Sequence, residues 1–221
     1  MSDKQGPVEA DKISAEFDAD ACKFCDRYKR RGLSKSSKVL LDFILNDDIH
    51  GKSVADLGCG TGGFTVELLK MGADAVVGFD LSPRMIESAT SLANANGFGG
   101  RAKFQLENAA TVEVPSSDIV VMDKVLCCFS DWKLLLGNAI GASRRTIGFI
   151  VPRDQGITKI PFHLGVRIMN YFQKRKGNIL FYLHPLDQID QTLRDSGFVR
   201  QEKKSSRFWL VFLYARSQSK P

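Results

Sequence analysis

The stretch Ser53-Val54-Ala55-Asp56-Leu57-Gly58-Cys59-Gly60-Thr61-Gly62-Gly63 decides the reading of this chain. An apolar run leads into closely spaced glycines, and Phe64 to Lys70 then repeats apolar residues at helical spacing. A strand, a glycine turn and a helix start bring bare backbone N–H groups and tight curvature to a small polar ligand. Eighteen residues beyond Gly62, the run Ala75-Val76-Val77-Gly78-Phe79 ends in Asp80. An acid at the end of the second strand of a βαβ unit is placed to accept both hydroxyls of a ribose. Together the two segments predict a site for a nucleoside-containing cofactor.

Gly58 to Gly63 also matches the dinucleotide fingerprint G-x-G-x-x-G. Asp56 separates the two readings, because it stands where the chain leaves the strand, two residues before the first glycine. A carboxylate there repels a pyrophosphate. The same carboxylate suits the ammonium of a methionine moiety on a ligand whose sulfonium is also positive. S-adenosylmethionine (SAM) fits this position, and NAD fits poorly.

Outward from the turn, the chain alternates as an α/β sheet does. Strands are predicted near 53–57, 75–80, 102–106, 118–123 and 145–151, with helices near 63–71, 83–96 and 131–142. Ser82 and Pro83 make a good N-cap and N1 pair. Two last strands, near 198–204 and 207–215, are joined by a polar turn around Ser205-Ser206 and so form an antiparallel hairpin. Residues 1–12 read as a disordered tail, and 13–221 as a single domain. Within it, 13–50 form an N-terminal helical cap, with one or two short helices over Ile13 to Leu33 and another over Ser36 to Leu45. Residues 152–185 are too long for a simple connection and read as an insertion. Its stretch from Ile157 to Gly177 is expected to be a mobile helical lid, with apolar residues set against Lys159, Arg167, Lys174, Arg175 and Lys176.

The D-x-G-x-G-x-G motif of Asp56 to Gly62 and the acid of Phe79-Asp80-Leu81-Ser82-Pro83-Arg84-Met85 resemble those of the class I SAM-dependent methyltransferases, over about Lys38 to Arg216. A narrower similarity, to the magnesium-protoporphyrin O-methyltransferase group, rests on three segments. They are Asp56 to Gly62, Val125-Leu126-Cys127-Cys128-Phe129, and Tyr182-Leu183-His184-Pro185 with Leu186 to Gly197 behind it. Where that group usually has histidine and tyrosine, this chain has Cys128 and Phe129. The resemblance implies a Rossmann-like α/β fold: a seven-stranded, mostly parallel sheet with one antiparallel strand, in the order 3-2-1-4-5-7-6. It also implies SAM as cofactor. Gly58, Cys59, Gly60, Thr61 and Gly62 would then cradle the methionine and ribose portions, with Asp80 on the ribose and Leu81 and Met85 beside the adenine. Asn108 and Ala109 would meet the adenine edge, and Asp123 and Lys124 would line the space between cofactor and acceptor. N-terminal helices lie over the cofactor in that family, which brings Tyr28, Arg30 or Arg31 within reach of its carboxylate.

A net charge of +6 and a pI near 9.1 are compatible with an acidic substrate, RNA or an anionic membrane surface. No RNA-stacking motif supports nucleic acid, and no N/D-P-P-Y/F stretch supports amino-group methylation of adenine or glutamine. The mixed apolar and basic faces of the lid leave a peripheral membrane contact as an alternative role for it. The polar N-terminus and the lack of a long apolar run predict a cytoplasmic protein. Cys22-x-x-Cys25 lacks a second pair, so no metal is expected. Cys127 and Cys128 read as small core-facing residues. His163 and His184 are the candidate bases, since histidine titrates near neutral pH. The expected function is SAM-dependent methylation of a small, largely apolar acidic acceptor on oxygen. Methylation of carbon or nitrogen in another small molecule or a macromolecule, or non-catalytic SAM binding, are the alternatives.

Overall fold

The structure, a computed structural model, describes residues 6–154, 159–206 and 208–217; the side chains of residues 6–8 and 159–161 lie outside the description. Seven strands form one sheet in the order β3-β2-β1-β4-β5-β7-β6. They are β1 (Ser53–Leu57), β2 (Ala75–Asp80), β3 (Ala102–Leu106), β4 (Ser117–Asp123), β5 (Ser143–Pro152), β6 (Phe198–Ser206) and β7 (Trp209–Arg216). Neighbours from β3 to β5 pair in parallel, and β7 runs antiparallel to both β5 and β6. This is the topology implied by the sequence resemblance.

Alternate residues of the central strands face opposite layers, as the pleat requires. Leu57, Phe79, Met122, Phe149, Phe212 and Tyr214 pack with Leu135, Leu136 and Ala139 of α5 (Trp132–Ala142) and with Ile189 and Leu193 of α7 (Leu186–Asp195). On the other face Val54, Val76, Val121, Ile150 and Leu213 meet Leu40 and Ile44 of α2 (Lys35–Asn46) and Val66 and Leu69 of α3 (Gly63–Lys70). Asp56 has the parity of Val54 and so points a carboxylate into an apolar layer.

The start of the chain differs from the sequence reading. Instead of a tail to residue 12 and short helices beyond it, one helix, α1, runs from Gly6 to Arg31. No glycine or proline interrupts Val8 to Arg31, so nothing in the sequence breaks it. Gly32 ends it at φ +64°, its N–H reaching the Tyr28 carbonyl at 2.7 Å. The hairpin turn also sits later than expected. Ser205 and Ser206 continue β6, and Ser206 pairs with Trp209, which leaves a two-residue connection. The insertion contains a helix, α6 (Lys159–Lys176), and Ile157 and Thr158 of the expected lid lie outside the described residues.

Candidate active site

The glycine turn follows β1 directly, and β2 holds it in place. The N–H groups of Gly58 and Cys59 both donate to the Phe79 carbonyl, at 2.8 and 2.9 Å. Gly60 donates its N–H to Asp80 Oδ2 at 2.8 Å, while Asp80 Oδ1 accepts from the Ser82 N–H at 3.0 Å. Asp80 therefore fastens the turn to the end of β2. Burial pushes its carboxyl upward, against the pull of these amides. Cys59 tucks under the turn because β2 has glycine at position 78; a Cβ there would lie 2.9 Å from Cys59 Sγ. Thr61 is buried as well.

The glycines are sterically required. At Gly58, φ +75°, a Cβ would sit 2.3 Å from Val125 Cγ2, and at Gly62, φ +75°, it would sit 2.9 Å from the Ala89 Cα. Val125 follows β4, and Ala89 belongs to α4 (Pro83–Ala95). The turn is thus clamped between two elements that frame the crevice at the carboxyl ends of the parallel strands, the place where open α/β sheets bind ligands.

Negative charge collects here. Asp56 is buried, and its Oδ2 accepts from Thr65 Oγ1 at 2.7 Å. Burial raises its carboxyl to about 7, with the nearby Asp123 and Asp80 carboxylates adding to the shift and Thr65 opposing it. Among the described residues Asp56 has no basic partner, and a buried acid of this kind suits a cationic ligand such as an ammonium. Asp123, at the end of β4, accepts from Ser37 Oγ at 2.5 Å and from Lys124 Nζ at 2.6 Å. Lys124, at φ +64°, also reaches Ser34 and Ser37 and lies 5.6 Å from the Trp209 ring centre. Its charge is balanced by Asp123 rather than turned toward an acceptor.

The other expected cofactor contacts are only partly brought together. Leu81 is partly exposed, but Met85 is fully buried. Asn108 turns its amide oxygen to the Ala110 N–H at 3.0 Å, and the Ala109 carbonyl accepts from Asn138 at 2.9 Å. The Tyr28 hydroxyl donates to Glu67 at 2.7 Å while its ring lies on Gly63, so it caps the turn with its hydroxyl already engaged.

The rest of α1 straps across the same crevice. Ser14 donates to the Leu81 carbonyl at 2.8 Å, and Asp18 accepts from the Ser82 hydroxyl and from the Arg84 N–H. The Ser82 bond holds the Asp18 carboxyl below its usual range. Glu9 accepts from the N–H and hydroxyl of Ser130, and Glu16 from the Ile179 N–H. Among its described apolar side chains, Ile13 and Ala21 are the buried ones. No simple sequence pattern marked Asp18 or Glu67; Ser37 read only as part of the helix over Ser36 to Leu45, and the fold brings it to Asp123.

The two histidines have different surroundings. His184 is buried, with Nε2 2.9 Å from the Leu126 carbonyl and its ring stacked on Tyr182. Burial lowers its pKa, outweighing the backbone of Leu126 and Phe129. It ties the 178–185 segment to the turn Leu126–Cys128, a 3-10 turn that also holds Cys127 and Cys128. That is a structural setting for this candidate base. His163 is half-exposed on α6, with Nε2 2.5 Å from Asp154 Oδ1. Cys22 and Cys25 lie one turn apart on α1, and among the described residues no group of three or more His, Cys, Asp or Glu is placed to hold a metal.

Beside the crevice lies a cavity of about 400 Å³ between α6 and the hairpin. Phe162, Gly165, Val166 and Met169 line one side, and Pro152, Phe181, Phe208 and Trp209 the other. Trp209 connects it to Lys124 and hence to the end of β4.

Asp56 offers a direct test of this electrostatic arrangement. Its carboxyl titrates near 7 in the folded chain and near 4 when unfolded, so the folded state holds the extra proton between these values. The contribution of Asp56 to the stability of the free protein is then greatest below pH 4 and is lost as pH rises toward 7, by up to about 4 kcal/mol. Asp56→Asn should remove its share of the fall and leave that of Asp80, giving a free protein more stable at pH 8 that binds SAM more weakly. Urea unfolding at pH 5 and pH 8 measures it, and an unchanged pH slope in the variant would exclude Asp56 as its source.

Residues 49–175 match the family model described as a methyltransferase domain. The ribosomal protein L11 methyltransferase of Edwardsiella ictaluri is 32% identical over 90 residues, 41% of this chain but only 30% of that protein. Among solved structures, magnesium protoporphyrin IX methyltransferase from Synechocystis, with bound SAH (S-adenosylhomocysteine), superposes with a TM-score of 0.71 at 20% identity, covering 95% of this chain and 100% of that one. An O-methyltransferase family protein from Burkholderia thailandensis gives 0.70 at 20% identity, covering 98% of this chain and 68% of that one. With the family model spanning more than half of the sequence and the seven-stranded order in place, the chain belongs to the methyltransferase domain family and shares the fold of its SAH-bound structural neighbour.

Proposed function

We propose that the protein methylates, on oxygen, a small and largely apolar acidic acceptor held in the cavity between α6 and β7. The cavity carries this reading: its walls are aromatic and aliphatic, and Trp209 joins it to the crevice of Asp56, Asp80 and Asp123. In this reading Gly58, Cys59, Gly60, Thr61 and Gly62 cradle the cofactor, Asp80 takes the ribose and Asp56 the ammonium. Leu81, Met85, Asn108 and Ala109 surround the adenine, Asp123 and Lys124 form the wall toward the acceptor, and Tyr28 closes the turn from above. Bound SAM supplies a methyl already activated on a sulfonium. What remains for the chain is to hold donor and acceptor in line and exclude water, which can contribute roughly 7–11 kcal/mol. α6 serves as the lid that does so. A carboxylate acceptor is ionised at neutral pH and needs no base, which agrees with the engagement of His184 by backbone. Arg153 and Arg167, both exposed, are the cations left to orient it; Lys124 is already paired, and the Lys159 side chain lies outside the described residues.

Carboxylic acids, phenols and amines supplied with radiolabelled SAM test the reading. Transfer to acids is expected. Gly165→Leu, whose new side chain starts in open space at the cavity wall, should cut turnover at least tenfold without changing SAM affinity. Transfer confined to amines or to a ribosomal protein would overturn the oxygen reading. Transfer to phenols would instead assign the base to His163, oriented by Asp154.

A further inference from the structure

α6 has two apolar faces, and the cavity uses only one. Phe162, Val166 and Met169 turn inward to the cavity. Leu164, Ile168, Tyr171 and Phe172 recur at i, i+4, i+7 and i+8 on another face, and each is more than half exposed. Four large side chains in one solvent-facing stripe are not the scattered exposure of an ordinary surface. Arg167 and the run Lys174-Arg175-Lys176 border the stripe, all exposed, with the Arg175 guanidinium 4.7 Å from the centre of the Tyr171 ring. Between Asp154 and Asp187 the sequence has no acidic residue at all.

We propose that this outer face of α6 seats the protein on an anionic lipid surface. The stripe would enter the boundary between headgroups and acyl chains, and the cations would lie among the phosphates. Charge decides between the conceivable occupants. A second copy of the chain laid against the stripe would oppose one cationic border to another. A nucleic acid would satisfy the cations and could stack on Tyr171 and Phe172, but would leave Leu164 and Ile168 against phosphate and water. Only an apolar layer with an anionic rim matches both parts. Docking is independent of the acceptor's identity; if the cavity holds the acceptor, as proposed above, its wall is the helix that rests on the membrane.

Sedimentation of the full chain with phosphatidylcholine vesicles, and with vesicles containing about one third phosphatidylglycerol, tests docking without any need for turnover. Binding to the anionic vesicles should be at least tenfold stronger and should weaken with salt. Removing one cation is expected to weaken it roughly fivefold, so Lys174→Ser, Arg175→Ser and Lys176→Ser together should weaken it about a hundredfold. Ile168→Ser with Phe172→Ser should also abolish most binding, and both variants should retain SAM affinity. As a gain of signal that does not depend on these losses, Phe172→Trp should be quenched by brominated lipid. Absent binding, equal binding to both vesicles, or no quenching of that tryptophan would overturn the proposal. So would a wild-type dimer that Ile168→Ser with Phe172→Ser makes monomeric, or RNA that displaces the vesicles.

Discussion

Replacing Asp80 with alanine is expected to weaken SAM binding at least tenfold. Two losses combine. The contacts proposed between its carboxylate and the ribose hydroxyls would be charge-assisted hydrogen bonds worth roughly 1.5–3 kcal/mol each. In addition, Asp80 accepts from Gly60 and Ser82 in the free protein, so its removal frees the turn that must be preorganised for binding. Asp80→Asn, which keeps an acceptor for one of these amides, should fall between the two. Calorimetric titration with SAM and S-adenosylhomocysteine gives the comparison, with NAD as the negative control. Unchanged SAM affinity in the alanine variant would remove Asp80 from the site.

Gly62→Ala should produce the largest loss of stability from a single added carbon. The residue sits at φ +75°, where an L side chain costs roughly 1–2 kcal/mol. Its Cβ would also lie 2.9 Å from both Cα and Cβ of Ala89, atoms of a packed helix that cannot swing aside. Overpacking of that kind costs roughly 1–3 kcal/mol, giving about 2–5 kcal/mol in all. Because Gly62 is the N-cap of α3, the movement that relieves the clash also displaces the turn. Chemical unfolding should record the loss, and a change below about 0.5 kcal/mol would mean that α3 and α4 separate freely.

How much of this was legible beforehand depends on the range of the interactions. The β1 turn, Asp80 and the Ser82-Pro83 helix start are local patterns whose physics is complete within a dozen residues, and they fixed the sheet order through family resemblance. The continuity of α1 was hidden because its apolar residues are few. Isolated helices of mixed charge are marginal, and this one is held by polar contacts to β2, α3 and the 130 and 179 segments. Lys124 could be placed at the wall of the cofactor space, but its partner Ser37 is 87 positions away. His184 carried a plausible base chemistry in sequence, and only the fold shows its burial against the Leu126 carbonyl.

The strap formed by α1 has a kinetic consequence. A helix bound chiefly through an apolar seam must expose that seam to leave, whereas this one gives up mainly carboxylate contacts that water can replace. Lifting it is therefore inexpensive, yet its contacts span both sides of the crevice and must open together. In the proposed site the spent cofactor lies beneath α1, so its release is expected to track the lifting of the first helix, far in sequence from any atom that changes bonds.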